Sequence, residues 1–301
     1  MTRQHIGSLI LALAVFLTSQ TAMAQPLTLP LELDANGHLR VPITFENGEI
    51  YDFILDTGAS RTGIMQPLVA ALGLKPTDDE SGLVHGTTGQ RQIDMYAPMT
   101  VKVGGVITYE TPLLPALGPL NIPGKPFYGI LGSDFFEQYV IEIDAIGGRL
   151  VLSRGSAKDL VGDGDFAAVP IRPHPGGIWM LDTMIGEIKI TALLDTGARR
   201  SILNPATAEA LGIDLRQAFE NPRKTINGAS GHGARGIALQ LEALRAGDRT
   251  WRNPQVTVAD IHIFEALGLS AEPAMILGSD LLFDGRLIVD YGARTVYIER
   301  T

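Results

Sequence analysis

Residues 53–59 (FILDTGA) and residues 192–198 (ALLDTGA) decide the fold, because an apolar run followed by Asp-Thr-Gly-Ala occurs twice in this chain. Each copy is followed by the same three landmarks in the same order. These are PLVAALG (67–73) and PATAEALG (205–212), ILGSD (130–134 and 276–280), and a closing apolar segment that ends in Asp (141–144 and 287–290). Self-similarity of this kind indicates a duplicated domain.

The sequence around the first copy favours β-strands. Apolar and polar residues alternate over 39–45 and again over 49–55, on either side of the two-residue hairpin signal Asn47-Gly48. The second predicted strand therefore runs directly into Asp56.

Helices are predicted to be few and short. Asn204 and Pro205 predict an N-cap and a first helical residue, Gly212 predicts the end of that helix, and residues 66–73 repeat the pattern with a weaker cap. Longer helical periodicity is missing. We therefore predict an all-β, bilobal protein with short helices.

The N-terminus has the form of a bacterial export signal. Arg3 is followed by an apolar run over 9–17 and by an A-x-A site at Ala22 and Ala24. The run is shorter than the roughly 20 apolar residues that a membrane-spanning helix needs. We expect residues 1–24 to be a cleaved signal peptide and the protein to be periplasmic or secreted, with an uncleaved anchor as the alternative.

The boundary between the two halves is predicted from a change in composition. Residues 155–168 (GSAKDLVGDGDFAA) alternate Gly and Asp with little apolar periodicity, which is typical of a linker. The predicted division is an N-terminal lobe at 26–155, a linker at 156–165 and a C-terminal lobe at 166–301.

Composition excludes several classes of chemistry. With 45% hydrophobic and 19% charged residues the chain is globular rather than disordered, and its formal charge of −9 without a basic run argues against nucleic acid. Cysteine is absent, which removes disulfides, thiolate nucleophiles and Cys-bound metals. The histidines show no zinc-ligand spacing, so we expect neither a metal nor another cofactor.

The paired motif resembles that of the retropepsin-like and pepsin-like aspartic peptidases. The fourth position favours retropepsins and their bacterial relatives, because Ala59 and Ala198 stand where pepsin-like enzymes usually have Ser. The resemblance implies two homologous retropepsin-like β-barrel lobes with the active cleft between them. It also implies that one chain holds both half-sites that a retropepsin homodimer divides between two subunits, so we expect a monomer with pseudo-two-fold symmetry.

The same resemblance assigns roles to the motif residues. Asp56 and Asp195 would meet at the axis as catalytic residues and share one proton, since two adjacent carboxylates resist double ionisation. Thr57 and Thr196 would lock the two loops to each other. Gly58 and Gly197, each followed by Ala, would allow the loops to approach without a Cβ clash.

Two Gly-rich segments match the place of the family's flap, which closes over substrate. The candidate flap residues are His85, Gly86 and Thr87 in the first half, and Asn227, Gly228 and Ala229 in the second. An ordinary surface hairpin is the alternative for each.

Other charged residues near the landmarks have simpler expected roles. Asp134 and Asp280 are expected to cap short helices. Asp144 and Asp290 are expected to make local bonds at strand ends. For the arginines that follow the motifs we expect either solvated charge or lobe-to-lobe salt bridges; these are Arg61, Arg199 and Arg200.

The expected function is that of an aspartic endopeptidase acting on a peptide or protein substrate, without nucleic acid or, after signal cleavage, membrane as a partner. One alternative is a catalytically silent binding protein that holds a peptide in the cleft. Another is that each lobe pairs with its counterpart in a second chain.

Overall fold

The computed structural model describes residues 25–77, 81–86, 89–118, 124–214, 224–227 and 233–300; the predicted signal peptide lies outside these residues. The described strands are β1 (Leu27–Pro30), β2 (Glu32–Leu33), β3 (Leu39–Thr44), β4 (Ile50–Leu55), β5 (Gly63–Met65), β6 (Ser81–Gly86), β7 (Gly89–Tyr96), β8 (Thr100–Val103), β9 (Ile107–Glu110), β10 (Leu114–Leu117), β11 (Gly129–Leu131), β12 (Val140–Asp144), β13 (Arg149–Ser153), β14 (Phe166–His174), β15 (Ile178–Ile185), β16 (Ile188–Leu194), β17 (Ile202–Leu203), β18 (Lys224–Asn227), β19 (Gly233–Gln240), β20 (Ala243–Ala246), β21 (Arg249–Arg252), β22 (Gln255–Val258), β23 (Ala274–Leu277), β24 (Leu287–Asp290) and β25 (Thr295–Glu299). The described helices are α1 (Gln66–Leu72), α2 (Ser133–Phe136), α3 (Ala157–Val161), α4 (Pro205–Ala210), α5 (His262–Ala266) and α6 (Ser279–Leu282). The all-β, bilobal prediction is confirmed.

The hairpin and the helix cap that the sequence predicts are found at the expected residues. Strands β3 and β4 pair antiparallel around Asn47-Gly48, and Gly48 has φ of +83°, a conformation that glycine adopts without strain. Asn204 caps α4 by accepting a hydrogen bond from Thr207 N at 2.9 Å. Helix α1 has no such side-chain cap, which agrees with its weaker signal.

Both halves use the same strand order around the Asp-Thr-Gly-Ala motif. Strand β11 lies between β4 and β5, parallel to the first and antiparallel to the second, and β23 lies in the same way between β16 and β17. Because β4 and β16 end directly before the motif, this arrangement brings each Asp to the edge where ILGSD begins its turn. The backbone N–H of Asp56 donates to Leu131 O at 3.0 Å, and that of Asp195 donates to Leu277 O at 3.1 Å.

The two halves share one sheet. Six strands follow one another in the order β1, β13, β12, β24, β25 and β14, three from each half, and β12 pairs antiparallel with β24 at the centre. One large hydrophobic cluster contains buried side chains from both halves. This shared sheet and core hold the motif-bearing loops of the two halves against each other.

The segment predicted as a linker contains helix α3. Ser156 and Asp159 form a reciprocal capping box at its start, and Ala157 is buried against Phe166 and Ile288 of the shared sheet. The connection between the halves is therefore packed against the protein body along this helix.

Among the described residues, no helix combines the length and hydropathy required to cross a membrane.

Candidate active site

The two motif aspartates meet between the lobes. A Cβ atom built on Gly58 would lie 2.4 Å from Asp195 Cγ, and one built on Gly197 would lie 2.4 Å from Asp56 Cγ. Each carboxyl group thus packs against the glycine of the opposite loop, so closely that there is no room for a Cβ atom. The predicted close approach of the two loops depends on these two glycines.

The two carboxyl groups have different surroundings. Asp195 is 8% exposed, whereas Asp56 is half-buried. Gly58 N donates to Asp56 Oδ1 at 2.9 Å, and Ala198 N donates to Asp195 Oδ1 at 2.8 Å. The motif backbone therefore orients one oxygen of each carboxyl group.

Burial raises the pKa of both groups. Desolvation is the largest cause for Asp56, and the charge of Asp195 then adds to it, so the pKa of Asp56 lies well above its ordinary value. Burial also raises the pKa of Asp195, but backbone N–H groups of Ala198 and Gly197 and a hydrogen bond from Asp56 oppose that rise. These directions favour a single proton shared by the two carboxyl groups.

The two motif threonines are locked across the axis by four buried hydrogen bonds. Thr57 Oγ1 donates to Leu194 O at 2.9 Å and accepts from Thr196 N at 3.0 Å. Thr196 Oγ1 donates to Leu55 O at 3.1 Å and accepts from Thr57 N at 3.0 Å. Each hydroxyl is used twice, which pins the backbone next to both aspartates.

The capping role predicted for Asp134 and Asp280 is wrong, since a glycine occupies the N-cap of both helices and neither Asp caps the helix end. Asp134 Oδ1 instead accepts from Thr62 N at 2.9 Å and from Thr62 Oγ1 at 2.8 Å. Asp280 Oδ1 accepts from Ser201 N at 2.9 Å and from Ser201 Oγ at 2.7 Å. Both aspartates tie ILGSD to the chain just after the motif.

A cleft of about 410 Å³ opens above the aspartates. Apart from the motif and a few polar residues, its walls are apolar. They are formed from the N-terminal lobe by Leu83, Val84, Ile93, Met95, Pro115, Leu117 and Ile130, and from the C-terminal lobe by Ile178, Leu193, Ile263, Ala266, Leu267 and Ile276. Such walls suit apolar side chains of a bound molecule.

The first predicted flap is a hairpin of β6 and β7 that reaches the opposite lobe. His85 and Gly86 both line the cleft, and His85 Nδ1 lies 3.2 Å from His262 Nε2 with the two rings stacked. Thr87 lies outside the described residues.

Only the start of the second predicted flap is described. Asn227 ends strand β18, whereas Gly228 and Ala229 lie outside the described residues.

Sequence reasoning missed helix α5. It contributes Ile263, Ala266 and the contact residue His262 to the cleft region, and Leu267 follows directly after it. The buried Ile261 and Phe264 lie on one side of this short helix, and a glycine, Gly268, follows it with φ of +67°. The three-residue spacing of Ile261 and Phe264, followed by a glycine, is the sequence signal that indicates this helix.

The remaining charged residues make local contacts. Asp144 accepts from Gly147 N at 2.7 Å and Asp290 from Ala293 N at 2.8 Å, as predicted for strand ends. Arg200 Nη1 lies 4.0 Å from Asp280 Oδ2 within its own lobe, and Arg61 lines the cleft.

Within the described ranges, no cluster of three or more His, Asp or Glu side chains has an arrangement that could hold a metal ion. The donor set at the centre of the cleft is a pair of carboxyl groups that bind each other and backbone N–H groups.

Comparison with known proteins agrees with this geometry. The family model described as aspartyl protease matches residues 41–135 and 181–281, one segment in each lobe, and together they span more than half of the chain. A search of curated proteins finds no match. Each matched segment contains one Asp-Thr-Gly-Ala motif and one ILGSD turn, and the chain belongs to the aspartyl protease family.

Proposed function

We propose that this protein is an aspartic endopeptidase that hydrolyses peptide bonds with water activated between Asp56 and Asp195. The observation that carries the proposal is the mutual packing of each carboxyl group against the glycine of the opposite loop, at the floor of a cleft. This arrangement supports two adjacent carboxyl groups that hold one proton between them.

The chemistry needs one protonated and one ionised carboxyl group, and we assign the proton to Asp56 because the charge of Asp195 adds to the effect of burial on the pKa of Asp56. Ionised Asp195 accepts a proton from water as the oxygen attacks the carbonyl carbon, while protonated Asp56 donates its proton to the carbonyl oxygen. The product is a neutral gem-diol, with Asp195 now protonated and Asp56 ionised. As the C–N bond breaks, the amine takes the proton of Asp195 and Asp56 recovers a proton from a gem-diol hydroxyl, which restores the starting state.

Both half-sites come from one chain, which favours action as a monomer. The four Thr hydrogen bonds are made within that chain, between its own lobes. The apolar walls on both sides favour peptides with apolar side chains on either side of the bond that is cleaved.

We also propose that residues 1–24 direct export, and that the protein acts in the periplasm or after secretion. Cleavage after Ala24 predicts Gln25 as the mature N-terminus. N-terminal sequencing of the protein expressed from its full gene would test this, and a retained Met1 would exclude it.

A catalytically silent peptide-binding protein is the competing function. The test is to incubate the protein with a diverse peptide library, with and without pepstatin, and to compare Asp56→Asn, Asp195→Asn and the control Asp290→Asn. Asp290 lies at a strand end, where an Asn can still accept the bond from Ala293 N.

We expect cleavage by the wild type and by the control. Each dyad variant should lose at least about 10²-fold in kcat, the scale of a lost general acid or base. Peptide binding without cleavage by the wild type would identify the silent binding protein. Cleavage by either dyad variant at more than a few per cent of the wild-type rate would exclude the dyad.

A further inference from the structure

We infer that Ser133 and Ser279, the serines of the two ILGSD turns, are positioning residues that set the separation of the two aspartates. This inference rests on the proposed function. Each serine joins the motif loop of its own lobe to a hairpin turn of the opposite lobe, so that the two form a second lock outside the Thr57–Thr196 contact.

Ser133 makes the first of these connections. Its backbone N–H donates to Ala59 O of the motif at 2.9 Å. Its hydroxyl lies 3.2 Å from Gly177 O in the opposite lobe and 3.4 Å from Ser60 O in its own lobe. Ser133 is only 1% exposed, so water cannot replace these partners.

Ser279 repeats the arrangement from the other side. Its backbone N–H donates to Ala198 O at 2.8 Å, and its hydroxyl donates to Gly37 O of the opposite lobe at 3.1 Å. The side chain is 6% exposed. Four contacts thus follow one pseudo-symmetric pattern, which a chance surface contact would not do.

The turns that accept these bonds lie close to the residue that follows each motif. Gly37 has φ of +83° and Gly177 has φ of +74°, a conformation that glycine adopts without strain, and the carbonyl of each contacts the serine hydroxyl of the other lobe. A Cβ atom on Gly177 would lie 2.9 Å from Ser60 Cβ, and one on Gly37 would lie 3.6 Å from Arg199 Cγ. The hairpins therefore support the C-terminal ends of the motif loops.

The two locks act at different points of the motif loops. The Thr hydrogen bonds join the loops at the residue that follows each Asp, close to the axis, and they do not reach the ends of the motifs at Ala59 and Ala198. The Ser bonds hold each loop at Ala59 or Ala198, three residues beyond its Asp. Catalytic groups must be held to within about 0.5 Å, and small displacements are costly.

A change in carboxyl separation has a signature that simple loss of stability lacks. When the carboxyl groups move apart, the shared proton is held less tightly and the higher pKa of the pair falls. The alkaline limb of the kcat profile, where that proton is lost, then moves to lower pH. Substrate contacts in the cleft walls are not altered, so KM should change little.

The experiment compares Ser133→Ala, Ser279→Ala and the double variant with the control Ser153→Ala. Ser153 is also buried, and its hydroxyl accepts a bond from Gly155 N at 3.0 Å, away from the cleft. For each single cleft variant we expect kcat to fall by about 10- to 100-fold. The alkaline limb should shift to lower pH, KM should stay within about twofold, and Ser279→Thr should recover most of the rate because it keeps the hydroxyl.

Carboxyl titration by ¹³C NMR of the folded proteins supplies a readout that does not need turnover. It should show the higher pKa of the pair lowered in Ser133→Ala and Ser279→Ala and unchanged in Ser153→Ala. Unchanged titration and an unchanged pH profile in the two variants would overturn the inference. If the wild type cleaves no peptide but the titration shifts as expected, the proposed function fails while the positioning role stands.

Discussion

The two lobes carry the same motif, but the surroundings of their aspartates differ. In both, a parallel pair of strands delivers Asp to the axis and a backbone N–H orients one oxygen. Yet the charge of Asp195 adds to the burial that raises the pKa of Asp56, whereas only burial raises the pKa of Asp195, and backbone N–H groups of the motif oppose the rise in both. Two identical motifs thus have unequal surroundings in the folded protein.

The walls of the cleft differ as well. The N-terminal lobe contributes the β6–β7 hairpin, and the C-terminal lobe contributes helix α5, with His85 and His262 in contact between them. The two duplicated lobes thus place different surfaces on opposite sides of one cleft. Under the proposed function, such a cleft would offer different contacts to the two ends of a bound peptide.

The largest expected effect is a loss of kcat when the motif glycine, which both lobes share, is substituted. Gly58→Ala or Gly197→Ala would place a methyl group 2.4 Å from the opposite carboxyl carbon, which forces the aspartates apart. We expect kcat to fall by at least about 10²-fold in both, measured on a peptide cleaved by the wild type. The matched control is Gly292→Ala, where the nearest atom to the new Cβ is 3.5 Å away. Full activity of either cleft variant would contradict this close packing.

Removing either threonine hydroxyl should lower the free energy of unfolding by a similar amount. Thr57→Val and Thr196→Val each leave a buried carbonyl oxygen and a buried N–H without a partner, at about 1–3 kcal/mol per group. Denaturant unfolding should show similar losses in the two variants, because each substitution removes two of the four bonds. Thr108→Val, at an exposed strand position, is the control. No loss in either variant would show that the lock does not hold the lobes together.

The pH dependence of stability should separate the two aspartates. A raised folded pKa adds stability that is fully present below the unfolded Asp value of about 3.9 and is lost as pH rises through the folded value. Asp56→Asn removes the more strongly raised group, so this variant should melt above the wild type near pH 7, and the gap should close toward pH 4.

Asp195→Asn should show a smaller gain, because Asp56 stays buried and still titrates. Melting curves from pH 4 to pH 8 would measure both gaps. The reverse order of the two variants would assign the shared proton to Asp195, and pH-independent losses in both would mean that the carboxyl groups do not interact.

The smallest effect concerns the contact between the two walls. His85→Ala and His262→Ala remove the same partly exposed contact, so each should change KM by about two- to fivefold, the equivalent of a bond of roughly 0.5–1 kcal/mol. The double variant should match either single variant, because each single substitution already removes the contact between the two histidines. Additive changes in KM would show that the two histidines act on substrate independently.

Local signals made much of the fold predictable. The repeated motif, the Asn47-Gly48 hairpin and the Asn204 cap each act within a few residues, so the sequence alone predicts the duplication, the strand before each Asp and helix α4. Helix α3 was missed although Ser156 and Asp159 carry its capping box, because the Gly-Asp pattern around them favoured a linker. Its packing against Ile288 depends on a strand more than a hundred residues away.

The duplicated motifs, with the family resemblance that they carry, predict which residues meet: two Asp-Thr-Gly-Ala loops, each preceded by a strand. The tertiary structure alone decided the roles that depend on distant partners, such as the tie of Asp134 to Thr62 and the contact of Ser279 with Gly37. The two motifs are identical in sequence, and only the folded protein gives their carboxyl groups the buried, adjacent positions that raise the pKa of both.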